Sequence, residues 1–246
     1  MSEVQNSALG RPSVGVVIPA LNEAEALPHV LRAIPAWVAH IVVADNGSTD
    51  ATADVARACG ASVVSEPIRG YGRACLTALA AMPPVDVIVF LDGDASDFPG
   101  EMGLLLTPIS DGRAELVIGS RTAGVREKGS LTPQQVFGNA LACLLIRLMW
   151  GQRYSDLGPF RAIRSEALQR LVMTDQDYGW TVEMQVRAAK LGMAVVEVPV
   201  SYRRRIGVSK VSGTIRGVIG AGTKILYVIG RETVAGWRGA EKTTSR

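Results

Sequence analysis

The feature that most constrains this chain is an alternation that runs through its first half. Short apolar, β-branched runs at 14–18, 41–44, 62–65, 87–91 and 116–118 are separated by stretches whose apolar residues recur at helical spacing. Helices are expected at 25–34, 50–59, 72–81 and 100–110. An alternation of this kind predicts an α/β fold: a mostly parallel central sheet with helices on both faces and ligands at the carboxyl ends of the strands. The chemically interesting residues fall at those ends. Pro19-Ala20-Leu21-Asn22-Glu23 follows the first run, Asp45-Asn46-Gly47-Ser48 the second, Arg69-Gly70-Tyr71-Gly72 the third and Asp92-Gly93-Asp94 the fourth.

The second half changes character. A long helix is expected at 131–150, shorter ones near 165–171 and 181–191, a strand at 194–200, and an apolar helical stretch at 214–229. With 246 residues, 48% hydrophobic and 20% charged, the chain suits one globular domain at 13–230, between a disordered leader at 1–12 and a flexible basic tail at 231–246. The surplus of basic charge is local: from Arg203 onward ten Lys and Arg face only Glu232 and Glu241. Three scattered cysteines, Cys59, Cys75 and Cys143, read as buried thiols in a reducing, cytoplasmic compartment. The leader lacks the pattern of a secretory signal. The longest apolar segment, 136–150, is shorter than the roughly 20 residues a bilayer demands and contains Asn139 and Arg147, so no membrane span is expected.

Two carboxylates one residue apart at the end of a buried strand form an oxygen-rich site suited to a divalent ion that carries a phosphate. The same Asp92-Gly93-Asp94 also suits a solvated turn, with Gly93 supplying the backbone freedom. Asp45 is placed to bond a nucleobase or ribose, whereas Ser48, Thr49 and Asp50 are accounted for by helix capping. Gly70-Tyr71-Gly72 opens like a dinucleotide-binding loop, but Cys75 stands where the third glycine belongs, and the motif follows the third strand. Hydride-transfer chemistry on such a loop is therefore disfavoured, leaving a glycine-loosened helix start beside Arg69 and Arg73 that suits a phosphate or a base. The basic run Tyr202-Arg203-Arg204-Arg205 to Lys210 lacks interleaved aromatics, which argues against nucleic acid and for a loop that grips a diphosphate or an acceptor phosphate.

Taken in order, these motifs resemble the family 2 glycosyltransferases of GT-A fold, most closely their dolichyl- and polyprenyl-phosphate sugar synthase branch. The resemblance covers about 14–229. It implies that Pro19, Ala20, Asn22, Glu23, Asp45, Gly70, Asp92, Gly93, Arg121, Arg205 and Lys210 bind a nucleoside-diphosphate sugar. It also implies that Asp92 and Asp94, with Ser96 in place of the glutamine of many relatives, hold Mg²⁺ or Mn²⁺. The implied reaction is inverting transfer of the sugar to a polyprenyl phosphate, with Asp94 and Arg204 in catalytic roles and Asp156 as a general base or an acceptor-positioning residue. Two departures stand out: Ala95-Ser96-Asp97-Phe98-Pro99 replaces the usual Leu-Gln-His-Pro continuation, and no C-terminal membrane helices follow. An amphipathic helix at 214–229, with Arg216 and Lys224 on its polar side, could instead rest on the cytoplasmic membrane face, although packing on the core explains it equally well. Three other readings remain open: transfer to a soluble or other lipid hydroxyl acceptor, an aspartyl phosphatase of haloacid-dehalogenase type, and a non-catalytic nucleotide-binding module.

Overall fold

The computed structural model describes residues 12–207, 220 and 222–233. Seven strands build one sheet: β1 Val14–Ala20, β2 His40–Asp45, β3 Ser62–Ser65, β4 Val87–Phe90, β5 Leu116–Ser120, β6 Arg161–Arg164 and β7 Val195–Pro199. Their order across the sheet is β3-β2-β1-β4-β6-β5-β7. Parallel pairing joins β3, β2, β1 and β4 and again β5 and β7, while β6 runs antiparallel between β4 and β5. The expected α/β fold with a mostly parallel sheet is the one observed. The strand the sequence hides is β6. It has only four residues, begins and ends in arginine, and offers no alternation to detect.

Alternation along the inner strands sends side chains to two cores. Val17, Ile88 and Phe90 face α3 (Tyr71–Ala80), α5 (Pro133–Trp150), α6 (Ser165–Leu171) and α7 (Trp180–Lys190). Val16, Ile18, Val89 and Leu91 face α1 (Leu27–Ala33), α2 (Thr52–Ala58) and α4 (Met102–Ser110). Both faces are thus covered, and the hydrophobic runs of β1 and β4 are explained by burial on both sides. Cys75 and Cys143 lie buried as free thiols, while Cys59 is half-buried.

Helix α5 matches the expected long helix because its ends are written locally. Thr132 and Gln135 form a reciprocal capping box, Pro133 opens the first turn, and Gly151 closes the helix in the left-handed conformation at φ 73°. The last described helix, α8 (222–233), runs past the expected domain boundary at 230. Glu232 is buried there among Arg187, Lys190 and Arg231, so the first residues assigned to a flexible tail belong to the fold. The expected leader up to residue 11, and residues 208–219 of the basic loop and expected amphipathic helix, lie outside the described residues, as do 234–246.

Candidate active site

At the carboxyl ends of β1 and β4 the sheet opens into a cleft of about 280 Å³. Pro19, Ala20, Leu21 and Glu23 form one wall, Asn46 and Arg69 to Tyr71 another, and Asp92 to Asp94 the floor; Tyr178 and Arg205 complete the lining. Of the residues the sequence singled out for donor binding, Pro19, Ala20, Glu23, Gly70, Asp92, Gly93 and Arg205 meet here, together with the expected metal ligand Asp94.

The floor concentrates negative charge. Burial and the neighbouring Asp94 push the Asp92 carboxyl up to about 6, against a hydrogen bond from the Tyr71 hydroxyl at 2.9 Å and the fields of Arg205 and Arg121. Asp97 is a third carboxylate, 2% exposed, beside Asp92 and Asp94. Burial together with Asp92 and Asp94 holds its carboxyl well above the usual range, with Arg121 opposing. Arg205 answers part of this charge: one guanidinium nitrogen lies 2.6 Å from Glu23 Oε1 and another 3.2 Å from Asp94 Oδ2. The Nε of Arg205 is buried without a hydrogen-bond partner among the described residues, a donor suited to a phosphate oxygen.

This donor set fits a hard divalent cation. No group of three or more His, Cys, Asp or Glu among the described residues is arranged to hold a metal. Two carboxylates completed by phosphate oxygens and water are, however, the usual complement of Mg²⁺ and of Mn²⁺ on a nucleotide. Ser96 departs from its expected place as a ligand. Its hydroxyl donates to Asp94 Oδ1 at 2.5 Å and its amide to the same oxygen at 2.9 Å, so it aims the Asp94 carboxylate rather than facing the cleft.

Around the floor, several expected donor contacts act on loops. Asn22, at φ 53°, accepts the Thr49 amide at 2.7 Å and so ties the end of β1 to the turn after β2. Asp45 accepts the Ser48 amide within that turn at 3.3 Å. Asn46, which the sequence reading did not single out, bonds the carbonyls of Glu66 and Ile68 and the amide of Gly70, fixing the segment after β3 to the end of β2. Tyr71 and Tyr178 were also missed. Tyr71 is visible within Gly-Tyr-Gly, whereas nothing in the sequence connects Tyr178 to a cleft about a hundred residues upstream.

Three further expectations require correction. Asp156 is 0% exposed, and Arg121 holds both its oxygens: its backbone amide and Nε at 2.8 Å on Oδ2, and Nη2 at 2.7 Å on Oδ1. A carboxylate so enclosed is not an accessible general base; it positions Arg121. Arg121 accordingly turns toward Asp156 and stacks 5.1 Å from the Tyr202 ring centroid. Arg204 is exposed, bonding the Lys128 carbonyl through its guanidinium and Glu127 through its amide, so it points away from the cleft. Lys210 lies outside the described residues.

The start of α3 is packed to the limit. A Cβ on Gly72 would lie 2.0 Å from the Asp175 carbonyl oxygen, and one on Gly70, at φ 156°, 2.2 Å from that of Gln176. Gly72→Ala is therefore expected to destabilise the protein by about 1–3 kcal/mol, read as a thermal midpoint roughly 2–12 °C lower. An unchanged midpoint would show that this packing is dispensable.

A mixed sheet whose first four strand ends converge on an acidic floor is the architecture of the GT-A glycosyltransferases, and the solved structures that superimpose on it bear this out. The chain belongs to glycosyl transferase family 2, whose sequence model matches residues 15–172. It is 43% identical to an uncharacterized glycosyltransferase of Mycobacterium tuberculosis over 211 residues, 84% of this chain and 93% of the relative. It is 31% identical to the undecaprenyl-phosphate mannosyltransferase of Micrococcus luteus over 216 residues, 82% of this chain and 88% of that one. Among solved structures, glucosyl-3-phosphoglycerate synthase from Mycobacterium tuberculosis, in complex with Mn²⁺, UDP-glucose and phosphoglyceric acid, superimposes with a TM-score of 0.73 at 26% identity. That match covers 93% of this chain and 82% of the other.

Proposed function

We propose that this glycosyltransferase moves a hexose from a nucleoside-diphosphate sugar to a polyprenyl phosphate, with inversion at the anomeric carbon. In this reading Pro19, Ala20 and Gly70 line the nucleotide site, and Asp92 and Asp94 hold the divalent ion on the diphosphate. A bound ion would stabilise charge on the leaving diphosphate. Arg205 would exchange its present carboxylate partners for phosphate oxygens, putting its unpartnered Nε to use. The acceptor oxygen bonds to the anomeric carbon as the bond to the diphosphate breaks and the nucleoside diphosphate departs. A phosphomonoester acceptor, with a second pKa near 6, is already anionic at pH 7 and requires no base, consistent with the enclosure of Asp156.

The observation that carries the lipid acceptor is the outer face of α5. Phe137, Leu144 and Leu148 form a stripe at helical spacing, Phe137 and Leu148 being 71% and 70% exposed. Phe137, at one end of the stripe, also lines an apolar groove of about 490 Å³ shared with Leu141 and with Ile225 and Leu226 of α8. Such a surface suits an isoprenoid chain or the acyl region of a membrane better than water. It is also joined to the site, since Asn139 of α5 bonds the Ser155 carbonyl and the Leu157 amide on either side of Asp156. No described helix is long and apolar enough to cross a membrane.

A soluble phosphorylated acceptor is the second reading, favoured by the phosphoglyceric acid bound in the superimposed synthase. One assay separates the two: sugar nucleotides with Mg²⁺ or Mn²⁺ are offered a short polyprenyl phosphate or 3-phosphoglycerate, reading nucleoside diphosphate and glycosylated product. Glycolipid formation is the expected result. Turnover on 3-phosphoglycerate alone would overturn the lipid assignment.

A further inference from the structure

Beyond the segment matched by the family model, residues 174–179 form a turn that closes one side of the cleft, and buried carboxylates tie its backbone. The Asp175 carboxylate is buried, and its Oδ1 accepts the amides of Asp177 and Gly179 at 2.9 and 3.1 Å. Glu183, fully buried on α7, accepts the amides of Thr174 and Asp175 at 3.0 and 2.7 Å. The Gln176 carbonyl accepts the Arg73 amide at 3.0 Å, seating the turn on the first residues of α3.

Helix α8 locks this turn from behind. Lys224 places its ammonium 3.1 Å from Asp175 Oδ2, and Val228 lies where a Cβ on Gly179 would meet it at 2.6 Å. One turn further on, Arg231 reaches Glu183 at 2.6 Å. Lys224, Val228 and Arg231 fall at i, i+4 and i+7, so one face of the helix engages the turn and its Glu183 anchor. The side chain this framework delivers to the cleft is Tyr178, half-buried and within the field of Arg69. Arg69 follows β3 at the edge of the sheet, whereas Asp92 and Asp94 follow β4 three strands further in. Tyr178 and Arg69 therefore mark the end of the cleft away from the β5–β7 side.

We propose that Tyr178, with Arg69, is the nucleoside-contacting pair of the donor site, and that Lys224 and Asp175 are positioning residues that hold Tyr178 there. This rests on the reading of the cleft as a nucleotide-sugar site. The phenol ring supplies a stacking face for the base, and the guanidinium adds a forked donor beside it. Helix α8, which borders the apolar groove, would thus also set the affinity for donor.

The test is calorimetric titration of the full chain with Mn²⁺ and a panel of UDP, GDP, ADP, CDP and dTDP, with inorganic pyrophosphate as the probe lacking a nucleoside. Tyr178→Ala is expected to weaken binding of the preferred nucleoside diphosphate about tenfold, with pyrophosphate affinity unchanged. Tyr178→Phe, which keeps the ring, stays within about twofold. Lys224→Met weakens the nucleotide about threefold without affecting pyrophosphate, and Lys224→Arg restores it. In turnover, both Tyr178→Ala and Lys224→Met raise KM for the donor and leave kcat in place. Equal losses for nucleotide and pyrophosphate, or none, would overturn the role of Tyr178. A Lys224→Met protein that melts lower yet binds nucleotide normally would overturn the positioning step. If the wild type binds pyrophosphate but no nucleoside diphosphate, or binds neither, the donor-site reading itself fails and this inference with it.

Discussion

Asp94→Ala is expected to lower turnover of the sugar nucleotide by on the order of a hundredfold to a thousandfold, the several kcal/mol that metal assistance contributes. Little stability should be lost with it. Asp94 sits among Asp92, Asp97 and Arg205, so its removal deletes repulsions and an attraction together, apart from the local hydrogen bonds from Ser96. The melting temperature is expected to stay within about 4 °C of wild type. Asp94→Asn keeps the turn and removes only charge, so it separates geometry from metal binding and should be nearly as inactive. The measurement is initial rate against Mn²⁺ concentration for the three proteins. Activity in Asp94→Ala within about threefold of wild type at the same Mn²⁺ requirement would remove Asp92-Gly93-Asp94 from the metal site.

Much of this site was legible because strand ends are written in short contiguous motifs. The end of β1, Gly70-Tyr71-Gly72 and Asp92-Gly93-Asp94 each announce a strand followed by a residue that a buried loop would not otherwise tolerate, and all three meet in the cleft. What was not legible depends on pairing at a distance. Asp156 read as an available carboxylate because the sequence cannot show that Arg121, thirty-five residues earlier, encloses both oxygens. Arg204 and Arg205 are adjacent and chemically alike, yet one points to the Lys128 carbonyl and the other to Glu23 and Asp94. Backbone geometry decides between them. Strand β6 escaped notice for a related reason: Arg161 is fully buried, its guanidinium satisfied by the carbonyls of Leu157, Gly158 and Thr181, and buried arginine is no signal for a strand.

Strand order explains why the two ends of the molecule do different work. The β3-β2-β1-β4 half is parallel and presents four carboxyl ends on one edge, which suits a nucleotide laid across them. Insertion of antiparallel β6 interrupts that edge after β4. Beyond it lies the loop 155–161, which α5 and α7 support through Asn139 and Gln185.

The Arg121–Asp156 pair is where that second half is most exposed to a single change. Arg121→Met leaves a fully buried carboxylate without its cation and two of its hydrogen bonds, a loss expected to cost about 3–5 kcal/mol. The thermal midpoint should fall by roughly 6–20 °C. Burial opposes the charge on Arg121, yet the hydrogen bonds and attraction from Asp156 hold its guanidinium well above its ordinary range. The double variant Arg121→Met, Asp156→Leu removes both charges and should recover much of the stability that the single change loses. Asp156→Asn tests the catalytic reading directly. For a positioning residue the melting point drops, and the surviving enzyme keeps the wild-type pH–rate profile. A general base would instead erase the acidic limb of that profile.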